Sequence, residues 1–202
     1  TPSFNSAKFI ADTIESVRHQ NYPNLQYIVS DSCSEDGTQD ILAKYDFIDA
    51  RIERDKGQSD ALNRAFATAD GEILAWLNAD DIYAPFTLHR MALEFMKGGA
   101  DVVAGQVILF DETGPRLGHI YSLPDGPIIE KEIIDLDGYW LTGQYFYQPE
   151  VFFTKAIYEK AGGYIDSELY YSMDYDLWLR LSRAGATVRA NAAPMAYFRV
   201  HE

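Results

Sequence analysis

The sequence predicts an α/β fold: a mostly parallel sheet flanked by helices, with a smaller mixed region in the second half. In the first half of the chain, segments of helical periodicity alternate with short apolar runs of strand length. Hydrophobic residues make up 47% of the chain and charged residues 24%, which favours a globular protein with a sizeable core. The length of 202 residues fits one large domain, or one domain with an appended subdomain.

Helices and strands alternate along the first half. Ser6 is a suitable cap for a first helix, because Phe9, Ile10 and Ile14 follow it on one helical face. We predict helices over residues 6–20, 38–45, 58–69 and 86–97, and strands over residues 25–29, 50–54 and 73–77. Ligands of such sheets collect beyond the carboxyl ends of the strands. Asp31 and the Asp80-Asp81 doublet directly follow predicted strands, so this edge is the predicted binding site.

The second half is less regular and forms the smaller mixed region. We predict strands over residues 101–110, 118–122, 148–154, 187–190 and 196–200, and helices over residues 155–161 and 174–184. Residues 124–137 form a loop-rich stretch that we expect to be a mobile flap, since long loops in compact domains are usually functional.

Charge and cysteine usage argue against several classes of protein. The net charge of −14 repels phosphate backbones and therefore disfavours nucleic-acid binding. For the same reason, a bound diphosphate needs a bridging cation, local Lys and Arg side chains, or backbone donors. The single cysteine, Cys33, cannot form an internal disulfide, which favours a reducing compartment. We interpret Cys33 as part of a loop without a chemical role.

The two ends of the sequence give a further expectation. No apolar run approaches the length needed to span a bilayer, and no signal peptide opens the sequence. The sequence begins at Thr1 without Met and stops at Glu202, so we expect that it is trimmed at both ends. A membrane segment or a partner domain would then lie outside it.

The strand-end cluster Asn78-Ala79-Asp80-Asp81 is the sharpest local feature. Two adjacent carboxylates repel each other unless a cation or hydrogen-bond donors lie beside them. A hard divalent ion such as Mg²⁺ or Mn²⁺ prefers one or two carboxylates together with substrate phosphates. The alternative is a helix N-cap, because Asp81 precedes a helical region and Pro85 suits its first turn. Taken alone, the cluster favours the cap.

Other polar segments also have two interpretations. The short polar side chains of residues 31–38 could bind a base or ribose, or they could form an ordinary strand-to-helix turn. Residues 55–63 contain a Gly that lets a ligand approach the backbone, or form a simple capped helix. Asp174 and Asp176 begin the last helix: one can act as a general base while Asp176 pairs with Arg180, or both serve the helix N-terminus. His201 suits a metal or phosphate contact, although a lone His is more often structural.

The order of these segments resembles that of family 2 glycosyltransferases with the GT-A fold, along essentially the whole chain. The resemblance rests on Pro2-Ser3-Phe4-Asn5, residues 31–38, residues 55–63, Trp76-Leu77-Asn78-Ala79-Asp80-Asp81, Gln148-Pro149, Gly162-Gly163-Tyr164, residues 174–180 and Arg199-Val200-His201. The set is specific for the family but not for the sugar. It implies a single Rossmann-like GT-A domain over residues 1–202, with a nucleotide-sugar half at 1–100 and an acceptor half with the catalytic base at 101–202.

The resemblance also implies roles for individual residues. The implied donor-binding residues are Phe4, Asp31, Asp60, Asn63, Asn78 and Asp80. Phe4 and Asp31 match positions that hold the nucleotide base, and Asp80 matches a position near the ribose or donor sugar. Asp81 is the implied ligand of Mn²⁺ or Mg²⁺, with His201 near the metal and the diphosphate. Asp174 matches the catalytic base.

The sequence departs from the family pattern at four places. Asn78 stands at the first position of the Asp-x-Asp pattern and brings no charge, so Asp80 and Asp81 must carry the metal site. Ser32 stands where many members have a second Asp, which weakens the implied base contact. Met173 stands where many members have Glu, which weakens an implied acceptor contact. The family's first strand, expected just before Thr1, is absent, and a sheet without it would lose a central strand.

The implied activity is an inverting transfer of a sugar from a nucleoside-diphosphate sugar, UDP-sugar above all, to a hydroxyl of a glycan or lipid-linked acceptor. The implied setting is cell-envelope polysaccharide synthesis in the cytoplasm or at the inner face of the membrane, reached through segments outside this chain. Two alternatives stay open. A silent module that binds nucleotide sugar or glycan would lack the metal or base Asp, and a nucleotidyltransferase would carry a basic triphosphate loop near its N-terminus. The sequence has neither mark.

Overall fold

The computed structural model describes residues 1–116, 125–142 and 147–201, and it confirms the predicted α/β fold. The strands are β1 (Pro2–Ser3), β2 (Ile28–Asp31), β3 (Asp49–Ile52), β4 (Ile73–Leu74), β5 (Ile82–Tyr83), β6 (Val102–Asp111), β7 (Gly114–Pro115), β8 (Gly126–Pro127), β9 (Val151–Thr154) and β10 (Thr187–Arg199). The α-helices are α1 (Ile10–Arg18), α2 (Thr38–Leu42), α3 (Gln58–Ala67), α4 (Thr87–Met96), α5 (Glu130–Ile134), α6 (Lys155–Lys160) and α7 (Met173–Arg183). In these residues, no helix combines the length and the apolar character that crossing a bilayer requires.

The strands form two sheets. A small parallel sheet has the order β1-β2-β3. A mixed sheet has the order β4-β9-β6-β10-β5, with β7 beside β6 and β8 beside β10. In the mixed sheet β6 and β10 are parallel, while β4, β5 and β9 pair antiparallel with their neighbours. The parallel pattern predicted for the first half therefore holds for β1 to β3 and ends at β4.

The last strand, β10, differs most from the prediction. Two strands were expected over residues 187–190 and 196–200, but one strand pairs with β6 along its length. From Ala190 to Ala196 this strand advances six residues while β6 advances three, from Ala104 to Val107. The irregularity is a bulge that lets β10 continue after the break in its pairing. Beyond it, Ala196 and Tyr197 pair with β5, a two-residue strand that local sequence did not predict.

Two predicted helix caps are displaced. Ser6 does not cap α1 with its side chain; its carbonyl accepts the N–H groups of Phe9 and Ile10, and the helix begins at Ile10. Thr38 is the first residue of α2, and Asp36 Oδ1 accepts its N–H at 3.1 Å.

Residues 125–142 contact the last helix. Ile133 in α5 is buried, and its carbonyl accepts a hydrogen bond from Tyr175 Oη at 3.2 Å. Glu130 pairs with Arg183 at 2.6 Å. The part of the expected flap that the structure describes is thus anchored to α7. Pro124 and the strand predicted over residues 118–122 lie outside the described residues.

Two apolar clusters pack on the two faces of the mixed sheet. One contains Trp76, Phe153 and Trp178, and the other contains Ile14, Met91, Met195 and the inner residues of α1. In the second cluster the two parallel strands β6 and β10 meet at Gly105. A Cβ atom on Gly105 would come 2.0 Å from Met195 Cγ, closer than real carbon atoms approach each other.

Gly105→Ala should therefore destabilise the fold by about 1–3 kcal/mol, because the buried Met195 must move. Urea unfolding should show a lower midpoint with an unchanged slope. Gly71→Ala is the matched control, since its added Cβ would meet the Ile73 carbonyl oxygen at 3.3 Å, a tight contact that a shift of a few tenths of an ångström relieves, and Gly71 is exposed. Equal midpoints for the two variants would contradict the packing argument.

A buried acid lies at the 3₁₀ turn Gln148–Glu150 that leads into β9. Glu150 is fully buried, and its Oε1 accepts the N–H of Tyr147 at 2.9 Å. Its Oε2 has no hydrogen-bond partner among residues 1–116, 125–142 and 147–201. Burial raises the pKa of the Glu150 carboxyl well above its ordinary value of 4.5, so the folded protein retains this proton to a higher pH than the unfolded chain does.

The buried Glu150 carboxyl should make the stability of the fold depend on pH. Above the ordinary pKa of 4.5 the unfolded chain releases the Glu150 proton while the folded chain retains it. The free energy of unfolding should therefore fall with rising pH by about 1.4 kcal/mol per pH unit from this group, until the folded-state pKa is reached. Glu150→Gln should remove that slope, as urea unfolding at a series of pH values can measure. Parallel pH profiles for the variant and the wild type would show that Glu150 is not held neutral.

Candidate active site

A cavity of about 790 Å³ opens beyond the carboxyl end of β1. Residues 2–6 line one side, residues 54–58 line another, and residues 78–80 line a third, with Tyr170 at its edge. The cavity therefore gathers the ends of β1, β3 and β4, as the sequence predicted for this edge of the sheet. The start of α3 also faces it, through Gln58 and Ala61.

Positive side chains line this cavity although the whole chain carries a net charge of −14. Arg54 and Lys56 both belong to the lining. Between them and α3, Gly57 adopts φ +114°, a conformation that side chains rarely allow. The local N–H groups are already used, because Asp55 Oδ1 accepts from Gly57 at 2.9 Å and Asp60 Oδ2 accepts from Lys56 at 3.0 Å. An anion in the cavity would thus meet the two cationic side chains.

The two adjacent acids Asp80 and Asp81 point to different environments. Asp80 lines the cavity, and its Oδ2 lies 2.6 Å from Nε2 of His201. Asp81 is only 1% exposed and does not line the cavity. Its Oδ1 accepts the Arg199 N–H at 2.9 Å, and burial together with the charge of Asp80 raises its pKa to about 8. The alternative role of Asp81 as a helix cap is wrong, because α4 begins only at Thr87 with Phe86 at the cap position.

Asn78 connects α3 to this turn. Its Oδ1 accepts a hydrogen bond from Gln58 Nε2 at 2.8 Å, and its Nδ2 donates to Asp81 Oδ2 at 3.4 Å. A carboxylate at this position would face the buried Asp81 carboxyl without a proton to donate, whereas the neutral amide donates to it. The departure from the family pattern at Asn78 therefore has a local structural reason.

Three of the predicted donor-binding residues lie outside the cavity lining. Asp31 is fully buried and accepts hydrogen bonds from the Ser3 hydroxyl and from Ser34. Asp60 pairs with Arg64 at 2.8 Å. Asn63 uses both ends of its amide on the backbone of Ile165, at 2.8 and 2.6 Å. Their assignment as donor contacts stays a prediction, and in this structure each of them bonds to neighbouring protein groups.

The other predicted donor residues do meet in the cavity. Phe4, which is 64% exposed, lines it together with Asn78 and Asp80. Sequence reasoning missed the cations Arg54 and Lys56 and the aromatic side chain of Tyr170. The sequence could have indicated the two cations, since they lie in the loop between the end of β3 and the start of α3. Tyr170 had none, because its approach to Gly57 is a tertiary contact.

The acids at the start of α7 have separate environments. Asp176 pairs with Arg180 at 2.7 Å, as one interpretation of the sequence expected. Asp174 is partly buried, and its Oδ1 accepts the Tyr175 N–H at 2.8 Å. Among the described residues it has no ion-pair partner, and burial raises the pKa of its carboxyl. Next to it, Met173 Sδ accepts a hydrogen bond from Ser59 Oγ at 2.9 Å, which ties α7 to the start of α3.

A metal ion would find an incomplete set of protein ligands here. Within residues 1–116, 125–142 and 147–201, no three His, Cys, Asp or Glu side chains are grouped to hold one. The Asp80 carboxylate, which lines the cavity, and the His201 imidazole bonded to it form a pair of suitable chemistry. The pair fits an ion that takes its remaining ligands from a bound diphosphate and water, the preference of Mg²⁺ and similar hard cations.

Comparison with known proteins adds independent findings. The model of the Glycosyl transferase family 2 domain matches residues 1–159. The Bacillus subtilis strain 168 protein named "Putative teichuronic acid biosynthesis glycosyltransferase TuaG" is 42% identical over 101 residues, which cover 48% of this chain and 40% of TuaG. Solved structures with low identity support the fold.

Two of these structures hold a nucleotide sugar. The crystal structure of S. aureus TarS 1–349 in complex with UDP-GlcNAc has a TM-score of 0.78 and 19% identity, covering 100% of this chain and 57% of that one. The mannosyltransferase PcManGT from Pyrobaculum calidifontis, in complex with GDP-Man and Mn²⁺, has a TM-score of 0.67 and 19% identity, covering 96% of this chain and 53% of that one. The chain thus spans about half the length of the proteins that it matches.

Proposed function

The chain belongs to glycosyl transferase family 2, and from that premise we propose that it transfers a sugar from a nucleoside-diphosphate sugar to an acceptor hydroxyl with inversion. The observation that carries the proposal is the cavity at the strand ends, whose lining contains Arg54, Lys56 and Asp80, with the His201 ring bonded to Asp80 at 2.6 Å. Cationic side chains and ligands for a bridging metal ion are two of the means by which an acidic protein can bind a diphosphate.

The proposed donor is a UDP-sugar. TarS binds UDP-GlcNAc and PcManGT binds GDP-Man, so a nucleotide sugar is the common ligand of the two structural relatives. Phe4 would contact the base, and Arg54 with Lys56 would contact the diphosphate. The Gln58–Asn78 hydrogen bond would keep the start of α3 beside the Asp80 turn.

The proposed metal, Mn²⁺ or Mg²⁺, would be held by Asp80 and His201. When bound, it would neutralise charge on the nucleoside diphosphate that leaves. This proposal moves the metal contact from Asp81, the residue implied by the resemblance, to Asp80. The reason is that Asp81 is buried and accepts the Arg199 N–H, whereas Asp80 faces the cavity. Asp81 would instead stabilise the turn through the hydrogen bond that its buried carboxyl accepts from the Arg199 N–H.

Asp174 is the proposed general base. Its raised pKa makes the ionised carboxylate a stronger acceptor of protons. It would take the proton from the acceptor hydroxyl as that oxygen bonds to the anomeric carbon. The bond from that carbon to the diphosphate oxygen would break on the opposite face, through a transition state that resembles an oxocarbenium ion.

The proposed acceptor is a glycan or a lipid-linked glycan of the cell envelope. This part rests on analogy with TuaG, whose name refers to teichuronic acid biosynthesis. The proposed place of action is the cytoplasm or the inner face of the membrane, with any membrane contact made by segments outside this chain.

A screen of nucleotide sugars with Mn²⁺ tests the proposal. We expect one UDP-sugar to raise the melting temperature and to be hydrolysed slowly to UDP in the absence of an acceptor. A rise in melting temperature without UDP release under any acceptor mixture would favour a silent binding module. Release of pyrophosphate from UTP and a sugar phosphate would favour a nucleotidyltransferase. Either of these results would overturn the proposal.

A further inference from the structure

The side chain of Arg199, at the end of β10, lies between two aromatic rings. Its guanidinium carbon is 4.3 Å from the ring centroid of Phe9 and 4.4 Å from that of Phe110. The side chain is only 12% exposed, and its ion-pair partner among the described residues, Asp12, is 3.8 Å away. A planar guanidinium between two rings is held in one orientation, which the flexible ammonium of Lys would not reproduce.

Arg199 binds two successive residues of the acidic turn, Asp80 and Asp81, one with its side chain and the other with its backbone. Its Nε donates to the carbonyl oxygen of Asp80 at 3.0 Å. Its backbone N–H donates to Oδ1 of Asp81 at 2.9 Å. One residue thus fixes both the main chain of Asp80 and the buried carboxyl behind it.

The same contacts also determine the position of His201. Phe9, which stacks on Arg199, lies 5.5 Å from the His201 ring at an interplanar angle of 53°. Val200, between the two, donates its N–H to the Phe110 carbonyl at 2.9 Å. His201 Nε2 then reaches Asp80 Oδ2 at 2.6 Å. The segment Arg199–His201 is therefore held at both ends: Phe9 and Phe110 pack on Arg199, and Phe9 also contacts the His201 ring.

We propose that Arg199 is a positioning residue that sets the geometry of the Asp80–His201 pair through its stacking between Phe9 and Phe110. It would act on the metal through Asp80 and His201 without touching the metal or the donor. The inference rests on the proposed role of that pair. Loss of such a supporting contact typically weakens metal binding by about 10- to 100-fold.

The test compares Arg199→Lys with Arg189→Lys. Arg189 lies on the same strand, is largely buried, and donates to the backbone carbonyls of Glu94 and Gly98 at 2.6 and 2.8 Å, away from the cavity. It therefore reports the general cost of replacing a buried arginine of β10. Free Mn²⁺ is measured by electron paramagnetic resonance in titrations with saturating UDP, and melting temperatures are measured in the same samples.

We expect Arg199→Lys to weaken Mn²⁺ binding by about 10-fold or more while Arg189→Lys leaves it unchanged. Phe110→Leu, which removes one ring and keeps the arginine, should give a smaller loss in the same direction and covers the case in which Arg199→Lys does not fold. Unchanged Mn²⁺ affinity in Phe110→Leu and in any folded Arg199→Lys would overturn the inference.

The variant Asp80→Asn distinguishes failure of the positioning role from failure of the proposed metal site. If Asp80→Asn weakens Mn²⁺ binding and the Arg199 and Phe110 variants do not, only the positioning role fails. If Asp80→Asn has no effect, the metal assignment fails and the positioning role with it.

Discussion

Asp174→Asn should lower kcat by about 10²- to 10⁴-fold, the range expected for loss of a general base. The amide cannot accept the proton of the acceptor hydroxyl, but it is nearly the same size and its oxygen can still accept the Tyr175 N–H. The fold and the donor cavity should therefore be preserved. Turnover is measured as nucleoside diphosphate release with the donor and acceptor found in the screen, and donor binding is measured by thermal shift.

Asp176→Asn is the matched control for this variant. Asp176 lies two residues later in α7 and pairs with Arg180 at 2.7 Å, so its replacement removes a charge from the same helix start. We expect it to lower stability, because the Arg180 side chain is only 12% exposed and loses the charge that pairs with it, and to leave kcat within about twofold. Near-wild-type turnover of Asp174→Asn, or equal losses in both variants, would remove Asp174 as the base.

Asp80→Asn should weaken Mn²⁺-dependent donor binding by about 100-fold or more, because a lost ligand costs more than a lost supporting contact. The matched comparison is Asp81→Asn, the adjacent residue. An Asn at position 81 can still accept the Arg199 N–H, so we expect a smaller effect on Mn²⁺ binding than at position 80. The affinity is measured by titrating Mn²⁺ into each protein with saturating UDP.

The order of these two effects decides between two assignments. A greater loss in Asp81→Asn would restore the metal role to Asp81, as the family resemblance implied. That role would require the buried carboxyl to lose its proton and to reach the cavity when the nucleotide binds. A similar loss in both would mean that the turn is cooperative and that neither residue can be singled out as the ligand.

The sequence predicted the strongly periodic elements well. Helix α7 was predicted over residues 174–184 and spans Met173–Arg183, because its apolar residues recur at helical spacing. Strand β5 was not predictable, since two residues become a strand only through pairing with β10. The single strand β10 was predicted as two, because its middle section contains Pro194 and small residues without alternation.

The candidate site shows the same limit. The sequence located it at the strand ends, because acidic clusters there can be recognised from local pattern alone. It could not decide which of Asp80 and Asp81 faces the cavity. That choice depends on the Arg199 N–H, which lies 118 residues further along the chain. Local pattern likewise could not show that Asp31 is satisfied by Ser3 and Ser34.

The bulge in β10 has a consequence for how this chain tolerates insertions and deletions. Between Ala190 and Ala196, β10 contains three more residues than the paired section of β6, and these extra residues are not in continuous register with β6. A residue gained or lost there can be absorbed without changing which side chains of the last section face which way. Between Ala196 and Arg199 there are no such extra residues, because each residue pairs in sequence with β6 from Val107 to Phe110. One extra residue in that section would exchange the two faces of the strand and carry Arg199 away from the acidic turn.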